Sequence, residues 1–322
     1  MAHFLQSPAW GRLQHARGRQ VVELSGDGWT AQGFIEQGRI NARLYAPYGP
    51  QLERPDALAG ALASLRDAAQ QRGAAFLRIE PTLVTPAAAD TAASADPVTL
   101  GLPPSELERL GLRRVGRVQP EHTQRVRLDR PFDEVLANMR KTNRNLHRNF
   151  AKKGLSVRRS SDPADIRHLL RLLREVSDRT GMHAHADDYL SLQAQTLVPT
   201  GDASIYLVEL AGETEPIAAS LIYDDSERRY YGHAAADTAH RNLSPGVILV
   251  TQMMEDAHAA GLREFDLYGV VPPGVTDHAW AGFSDFKRSF GGYQVDYSGT
   301  WELPVRPLSY AIYRLARRLL DE

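Results

Sequence analysis

Phe286-Lys287-Arg288-Ser289-Phe290-Gly291-Gly292 sets one lysine between two aromatic rings and closes on paired glycines. Such glycines suit a turn, and Tyr293, Val295 and Tyr297 then alternate as a strand does. A single cation bracketed by the rings of Phe286 and Phe290 makes Lys287 the first choice for chemistry. The alternative is a surface lysine on an amphipathic helix over 280–290.

Upstream of that stretch the chain reads as α/β. Strand-like runs at 20–24, 30–36 and 39–45 precede a helix marked by Leu58, Leu62, Leu65 and Ala69, which Gly73 ends; 75–79 is a buried strand. Residues 82–103, rich in Ala, Thr and Pro, predict a loop that can cover a site. After a strand at 123–128, Pro131 opens one long helix with Val135, Met139, Leu146 and Phe150 buried and Gly154 as its stop. Strand 155–159, helices 165–180 and 187–198, strands 203–210, 216–223 and 228–233, helix 247–260 and strand 264–267 repeat the theme. Two related lobes follow, with mixed sheets flanked by helices: 1–153, and 154–301. A last helix, 309–320, carries Ile312, Leu315, Ala316 and Leu319 on one face and is expected to pack that face on the first lobe, so that 302–322 belongs with it.

The 322 residues suit two domains. With 38 Lys and Arg against 39 acidic residues, a polyanion can be met only by a local patch. The chain has no cysteine, which excludes disulfides, thiolate metal sites and a thioester intermediate. Neither a signal-like N-terminus nor about 18 consecutive apolar residues occurs, which predicts a cytoplasmic protein that can still work at a membrane surface.

The patch lies between Arg140 and Arg159, a span with eight Lys or Arg and no acidic residue. Lys141, Arg144, Arg148 and Lys152 fall on one helical stripe fit for a nucleic-acid phosphate backbone or a diphosphate, or for nothing more than solvent. His183 and His185 form an H-x-H with no third ligand in register, so no metal is expected. Arg241-Asn-Leu-Ser-Pro-Gly246 resembles an acetyltransferase pyrophosphate loop, but Ser244 replaces its middle glycine and Pro245 removes an amide donor. Arg78, beside Glu80, either anchors substrate or pairs internally. Asp277, His278 and Asp285 lie near the lysine, but none stands out as a general base.

Several segments, in order along nearly the whole chain, resemble the Fem family, tRNA-dependent aminoacyltransferases that build peptidoglycan cross-bridges. Besides F-K-x-x-F-G-G they are Phe4-Leu-Gln-Ser7 with Trp10, Tyr45-Ala-Pro-Tyr-Gly-Pro50, Phe76-Leu-Arg-Ile-Glu-Pro81, Gln119-Pro120, the basic helix from Arg140 to Lys153, and Phe265-Asp-Leu-Tyr-Gly269. The resemblance implies two tandem lobes of the GCN5-related N-acetyltransferase (GNAT) type, here without the coiled-coil arm of some members, and no cofactor. It implies aminoacyl-tRNA as donor and a nucleotide-linked or lipid-linked muropeptide as acceptor, with possible contact to the membrane periphery. By resemblance Lys287, held in place by Phe286, stabilises the oxyanion or binds an acceptor phosphate, and a substrate carboxylate assists proton transfer. Tyr189 and Tyr231 match precursor-site tyrosines. His185 stands where the family has an arginine, and Arg12 and Gln14 where it presents a lysine. Two rivals remain: an acyl-coenzyme A-dependent N-acyltransferase, and a non-catalytic binder of muropeptide or RNA.

Overall fold

The computed structural model describes residues 3–83, 102–181 and 185–320, so most of the 82–103 segment and His183 lie outside the described residues. The chain forms two units, 1–121 with 295–322, and 122–294.

In the first unit, α1 (Pro8–Ala16) starts where the Ser7 hydroxyl accepts the Trp10 amide at 3.2 Å. β1 (Val21–Gly26) and β2 (Trp29–Gln37) form an antiparallel hairpin around Asp27-Gly28. β3 (Ala42–Ala46) and β4 (Gln51–Leu52) both pair with β2. α2 (Ala57–Gln71) then crosses over to β5 (Phe76–Ile79), parallel to β3. α3 (Pro104–Arg109) and β6 (Arg113–Arg114) follow, and the chain later returns with β14 (Trp301–Pro304) and α10 (Pro307–Leu320). The sheet order is β1-β2-β3-β5-β14-β6. Leu58, Leu62 and Leu65 of α2 pack onto Leu44, Leu77 and Trp301; each such leucine contributes about 1.5–3 kcal/mol.

The second unit repeats this wiring. β7 (His122–Arg127), α4 (Phe132–Ala137), α5 (Lys141–Asn149), β8 (Leu155–Ser160), α6 (Ile166–Thr180) and α7 (Asp187–Leu197) come first. β9 (Ala203–Leu210), β10 (Ala218–Asp224) and β11 (Arg228–Ala236) are successive antiparallel strands. α8 (Pro245–Ala259) crosses to β12 (Glu264–Gly269), parallel to β11, as α2 does between β3 and β5. α9 (Ala281–Arg288) and β13 (Tyr293–Asp296) complete the order β13-β7-β12-β11-β10-β9-β8.

Three expectations change. The units divide at 121/122 and 294/295 rather than at 153/154 and 301/302, because β7 pairs with β12 through Glu264↔Arg127 and Phe265↔Val126. The helix opened by Pro131 is two helices broken at 138–140. There the Arg140 amide donates to Ser289 O at 2.9 Å, and the Arg144 guanidinium takes the Ala137 and Met139 carbonyls. Finally, α10 docks through Tyr310 and Tyr313, whose rings lie 5.4 and 4.6 Å from that of Phe76. Their hydroxyls bond Glu302 at 2.8 Å and Arg78 at 3.0 Å, which leaves Ile312, Leu315 and Leu319 in solvent.

Candidate active site

Lys287 sits in the last turn of α9, and its ammonium donates to the Gly269 carbonyl at 2.7 Å, at the end of β12. Burial lowers its pKa to about 8 against the opposing attraction of Asp266. The end of β12 is irregular by construction. Its pairing with β7 slips between Asp266 and Gly269, and Tyr268 is left-handed at φ 64°. A non-glycine residue rarely adopts that conformation, and such outliers persist where the surroundings impose them. Here the imposing group is Asp266, only 1% exposed, whose carboxylate accepts the Tyr268 amide at 2.7 Å, the Thr123 hydroxyl, and Arg125 Nε at 3.2 Å. Glu264, one inward-facing step back on β12, bridges Arg125 and Arg228. Burial would raise its pKa, but the two guanidinium groups hold it below the usual carboxylate range.

α9 itself is clamped from several sides. Arg140 grips Asp285 with both guanidinium nitrogens, at 2.6 and 3.1 Å, and Asn143 Nδ2 donates to Ser289 Oγ at 2.8 Å. On the β12 side the Val271 amide donates to Ser284 Oγ at 2.9 Å, and Arg288 donates to the Val271 carbonyl. The Phe286 ring meets Phe290 edge-on at 5.1 Å and lies at the start of α8, where a Cβ built on Gly246 would stand 3.8 Å from it. Ordering a long lysine chain costs entropy, and these contacts settle that cost on folding rather than during reaction.

His185 and Tyr189 come together, their rings 5.4 Å apart, and His185 also meets the His233 ring edge-on at 5.2 Å. His233 was not anticipated; burial, with His185 beside it, lowers its pKa to about 3, so it is neutral at physiological pH. Tyr223 joins them 6.3 Å from His233, bonded to Gln193 of α7; burial, with Tyr189 and Tyr268 nearby, raises its pKa. Tyr268 thereby links this aromatic group to the strand end that holds Lys287. Tyr231 packs with Phe286 against the second unit's core, and burial raises its pKa.

The remaining predicted residues separate into anchored and exposed groups. Arg144 spends its guanidinium on helix carbonyls, whereas Lys141, Arg148 and Lys152 are exposed, with Lys152 bonded to Asn149 at 2.9 Å. Gln14 is 1% exposed and accepts Arg19 at 3.1 Å, Arg12 is exposed, and Arg78 pairs with Glu302 at 2.6 Å; all three belong to the first unit. Asp285 is held by Arg140, which lowers its pKa and makes it a poor base. The 241–246 loop brings Ser244 to φ 53° and starts α8 at Pro245, with the Phe286 ring near the amides that would receive a pyrophosphate. Asp266, Tyr268, Tyr223 and His233 escaped the sequence because their roles come from strand pairing; the one available signal was Phe265-Asp-Leu-Tyr-Gly269 itself.

A family model described as the FemAB family matches residues 1–210, and one described as an acetyltransferase (GNAT) domain matches residues 137–288. No curated protein matches the sequence. Among solved structures, a crystal structure of FemX superposes with a TM-score of 0.79 at 18% identity, covering 97% of this chain and 94% of that one. The C-terminal domain of a putative lysylphosphatidylglycerol synthetase from Agrobacterium fabrum superposes at 0.57 and 16% identity, covering 96% and 91%. A tandem GNAT protein from the clavulanic acid biosynthesis pathway superposes at 0.53 and 15% identity, covering 89% and 83%. At these identities the likeness is one of fold: two GNAT-type units in tandem. Because the family model spans well over half of the sequence, the chain belongs to the FemAB family of acyltransferases.

Proposed function

We propose that the protein moves an amino acid, with glycine, alanine or serine as first choices, from aminoacyl-tRNA to the side-chain amine of a peptidoglycan precursor stem peptide. The observation that carries this is a half-buried ammonium held at 2.7 Å from the carbonyl of Gly269, on a helix clamped by Arg140, Asn143 and the Val271 amide. Attack of the amine on the ester carbonyl forms the new C–N bond and a tetrahedral oxyanion, which Lys287 stabilises. Collapse then breaks the ester bond, and the amine's proton leaves with the tRNA ribose hydroxyl. A fixed cation in a poorly solvated site favours that transition state by about 2.7–4 kcal/mol. His185, Tyr189 and Tyr231 bind the precursor in this scheme. Incubation with charged tRNA and a muropeptide should add one aminoacyl residue by mass; no gain over a panel of amino acids, and no binding of either substrate, would defeat it.

The GNAT match favours one alternative, an acyl-coenzyme A-dependent N-acyltransferase. Pro245 and the neighbouring Phe286 ring weigh against it, and a thermal shift with acetyl-coenzyme A but none with tRNA would reverse the order.

Lys287 also sets an expected pH profile. Catalysis requires Lys287 protonated and the acceptor amine neutral, and that amine has an unperturbed pKa of about 10.4. Since the lysine titrates at about 8, kcat/KM should climb below that pH as the amine deprotonates and level off above it as the ammonium is lost. Lys287→Arg, slower overall, should lack the bend and keep climbing; an unchanged bend assigns it to another group.

The basic stripe, with Lys141, Arg148 and Lys152 as its exposed members, is proposed as the tRNA phosphate contact. Their combined replacement by alanine should weaken tRNA binding and reduce the slope of log K against log salt by about 2, with stability unchanged. An unaltered slope in filter binding places the tRNA elsewhere.

A further inference from the structure

We propose that the C-terminal helix α10 is an in-plane anchor for an anionic lipid surface. This goes beyond the transfer reaction and does not depend on it. Leu308, Ile312, Leu315 and Leu319 are 83%, 59%, 61% and 68% exposed. Spaced by four, three and four, they form one stripe of the helix, and a chain of this kind seldom leaves so many large aliphatics side by side in water. The opposite side of the helix is spoken for. Tyr310 meets Phe76 edge-on and Tyr313 stacks on it, and their hydroxyls bond Glu302 and Arg78, so α10 cannot roll inward to hide the stripe without breaking these contacts.

Charge complementarity selects the occupant. Between Leu303 and Leu320 there is no acidic residue but there are four arginines, Arg306, Arg314, Arg317 and Arg318, in a chain whose overall net charge is −1. Arg318 lies along one side of the apolar stripe and Arg306 precedes the helix, both exposed, whereas Arg314 is turned toward Tyr310 on the docked face. A leucine-isoleucine stripe beside arginines is the pattern of a helix lying in the headgroup boundary, its side chains among acyl chains and its cations on lipid phosphates. A second copy fits poorly, because a twofold contact through this face would set arginine-bearing flanks against each other. No helix among the described residues is long and apolar enough to cross a membrane, so α10 would lie on the surface rather than span it.

The test is flotation of the full chain with vesicles containing ~30 mol% phosphatidylglycerol in phosphatidylethanolamine, against vesicles of phosphatidylcholine alone. Expected is co-flotation with the anionic vesicles only, reduced about tenfold or more by Ile312→Glu with Leu315→Glu, by Arg306→Gln with Arg318→Gln, and by high salt. The arginine variant leaves the apolar face intact and so separates lost binding from lost folding. Failure to float, equal flotation with phosphatidylcholine, or insensitivity to both variants overturns the proposal. So does light scattering that shows a dimer which the Ile312→Glu, Leu315→Glu variant dissociates, since the stripe is then an interface between copies. Aminoacyl transfer to a water-soluble precursor should be unchanged in both variants, which keeps this outcome separate from that of the reaction.

Discussion

Lys287→Met should lower turnover by about 10²–10³-fold, leave precursor binding largely intact, and raise the protein's stability. The first effect is the loss of a cation that acts only when charge develops on the attacked carbonyl, so it belongs in kcat rather than in substrate affinity. The second follows from the same burial that lowers the lysine's pKa to about 8. A charge that the folded state disfavours destabilises it, and methionine fills a similar volume without that charge. Discounted for partial exposure, the gain should be about 1–2 kcal/mol at neutral pH. The sign can be followed with pH: between the folded value near 8 and the unfolded value near 10.5, the folded chain holds fewer protons than the unfolded one. Wild-type stability therefore rises through that window, and the advantage of methionine shrinks. Steady-state kinetics, precursor calorimetry and urea melts at pH 7 and 10 read all three. Retained turnover removes Lys287 from the mechanism, whereas lost turnover with lost precursor binding makes it an acceptor ligand instead.

Gly292→Ala should destabilise the protein by about 4 kcal/mol or more, enough to leave little folded material. A Cβ at this position would stand 1.9 Å from the Arg125 carbonyl oxygen, and the backbone sits at φ 83°. The oxygen is backbone of β7, itself tied to β12, and cannot swing aside as a flexible side chain would. Gly291 is nearly as tight, its would-be Cβ 2.7 Å from the Asn138 carbonyl at the break between α4 and α5. The natural control is Gly282→Ala, on α9 with nothing within 4 Å of the added carbon; it should be neutral or stabilising by up to about 1 kcal/mol. Chemical denaturation of the two variants side by side decides the matter. A Gly292→Ala protein as stable as wild type would mean that the turn does not press on β7.

The paired glycines show how far local sequence reaches. Gly291-Gly292 announces a turn, but what makes alanine intolerable there is the approach of β7, more than 160 residues earlier in the chain. Arg144 and Arg78 show the same limit from the other side. Each looks available for a phosphate or carboxylate of a substrate, yet one caps Ala137 and Met139 and the other pairs with Glu302. A cation in a sequence does not reveal its partner when that partner lies on a distant strand. Asp266 is the sharpest case: an ordinary acidic residue in Phe265-Asp-Leu-Tyr-Gly269, it becomes the group that sets Tyr268 left-handed and attracts the ammonium of Lys287.

Periodicity, turn residues and helix starts depend on neighbours within a few positions, so the sequence by itself determined the longer elements such as β2, α2, β9 and α8, the repeated strand-helix-strand order and the lysine between two rings, but not α1, α3 or the short strands β4, β6 and β14. Tertiary structure alone decided where the units divide, that the helix after Pro131 breaks at 138–140, which arginines remain exposed, and which face of α10 meets the protein. Each of these turns on competition between partners far apart along the chain: β7 joins β12, Arg140 joins Ser289 and Asp285, and two tyrosines outbid an aliphatic stripe for the surface of Phe76. No local pattern encodes the outcome of such a competition, because it is settled by the area, charge and hydrogen bonds that become available only when the whole unit closes.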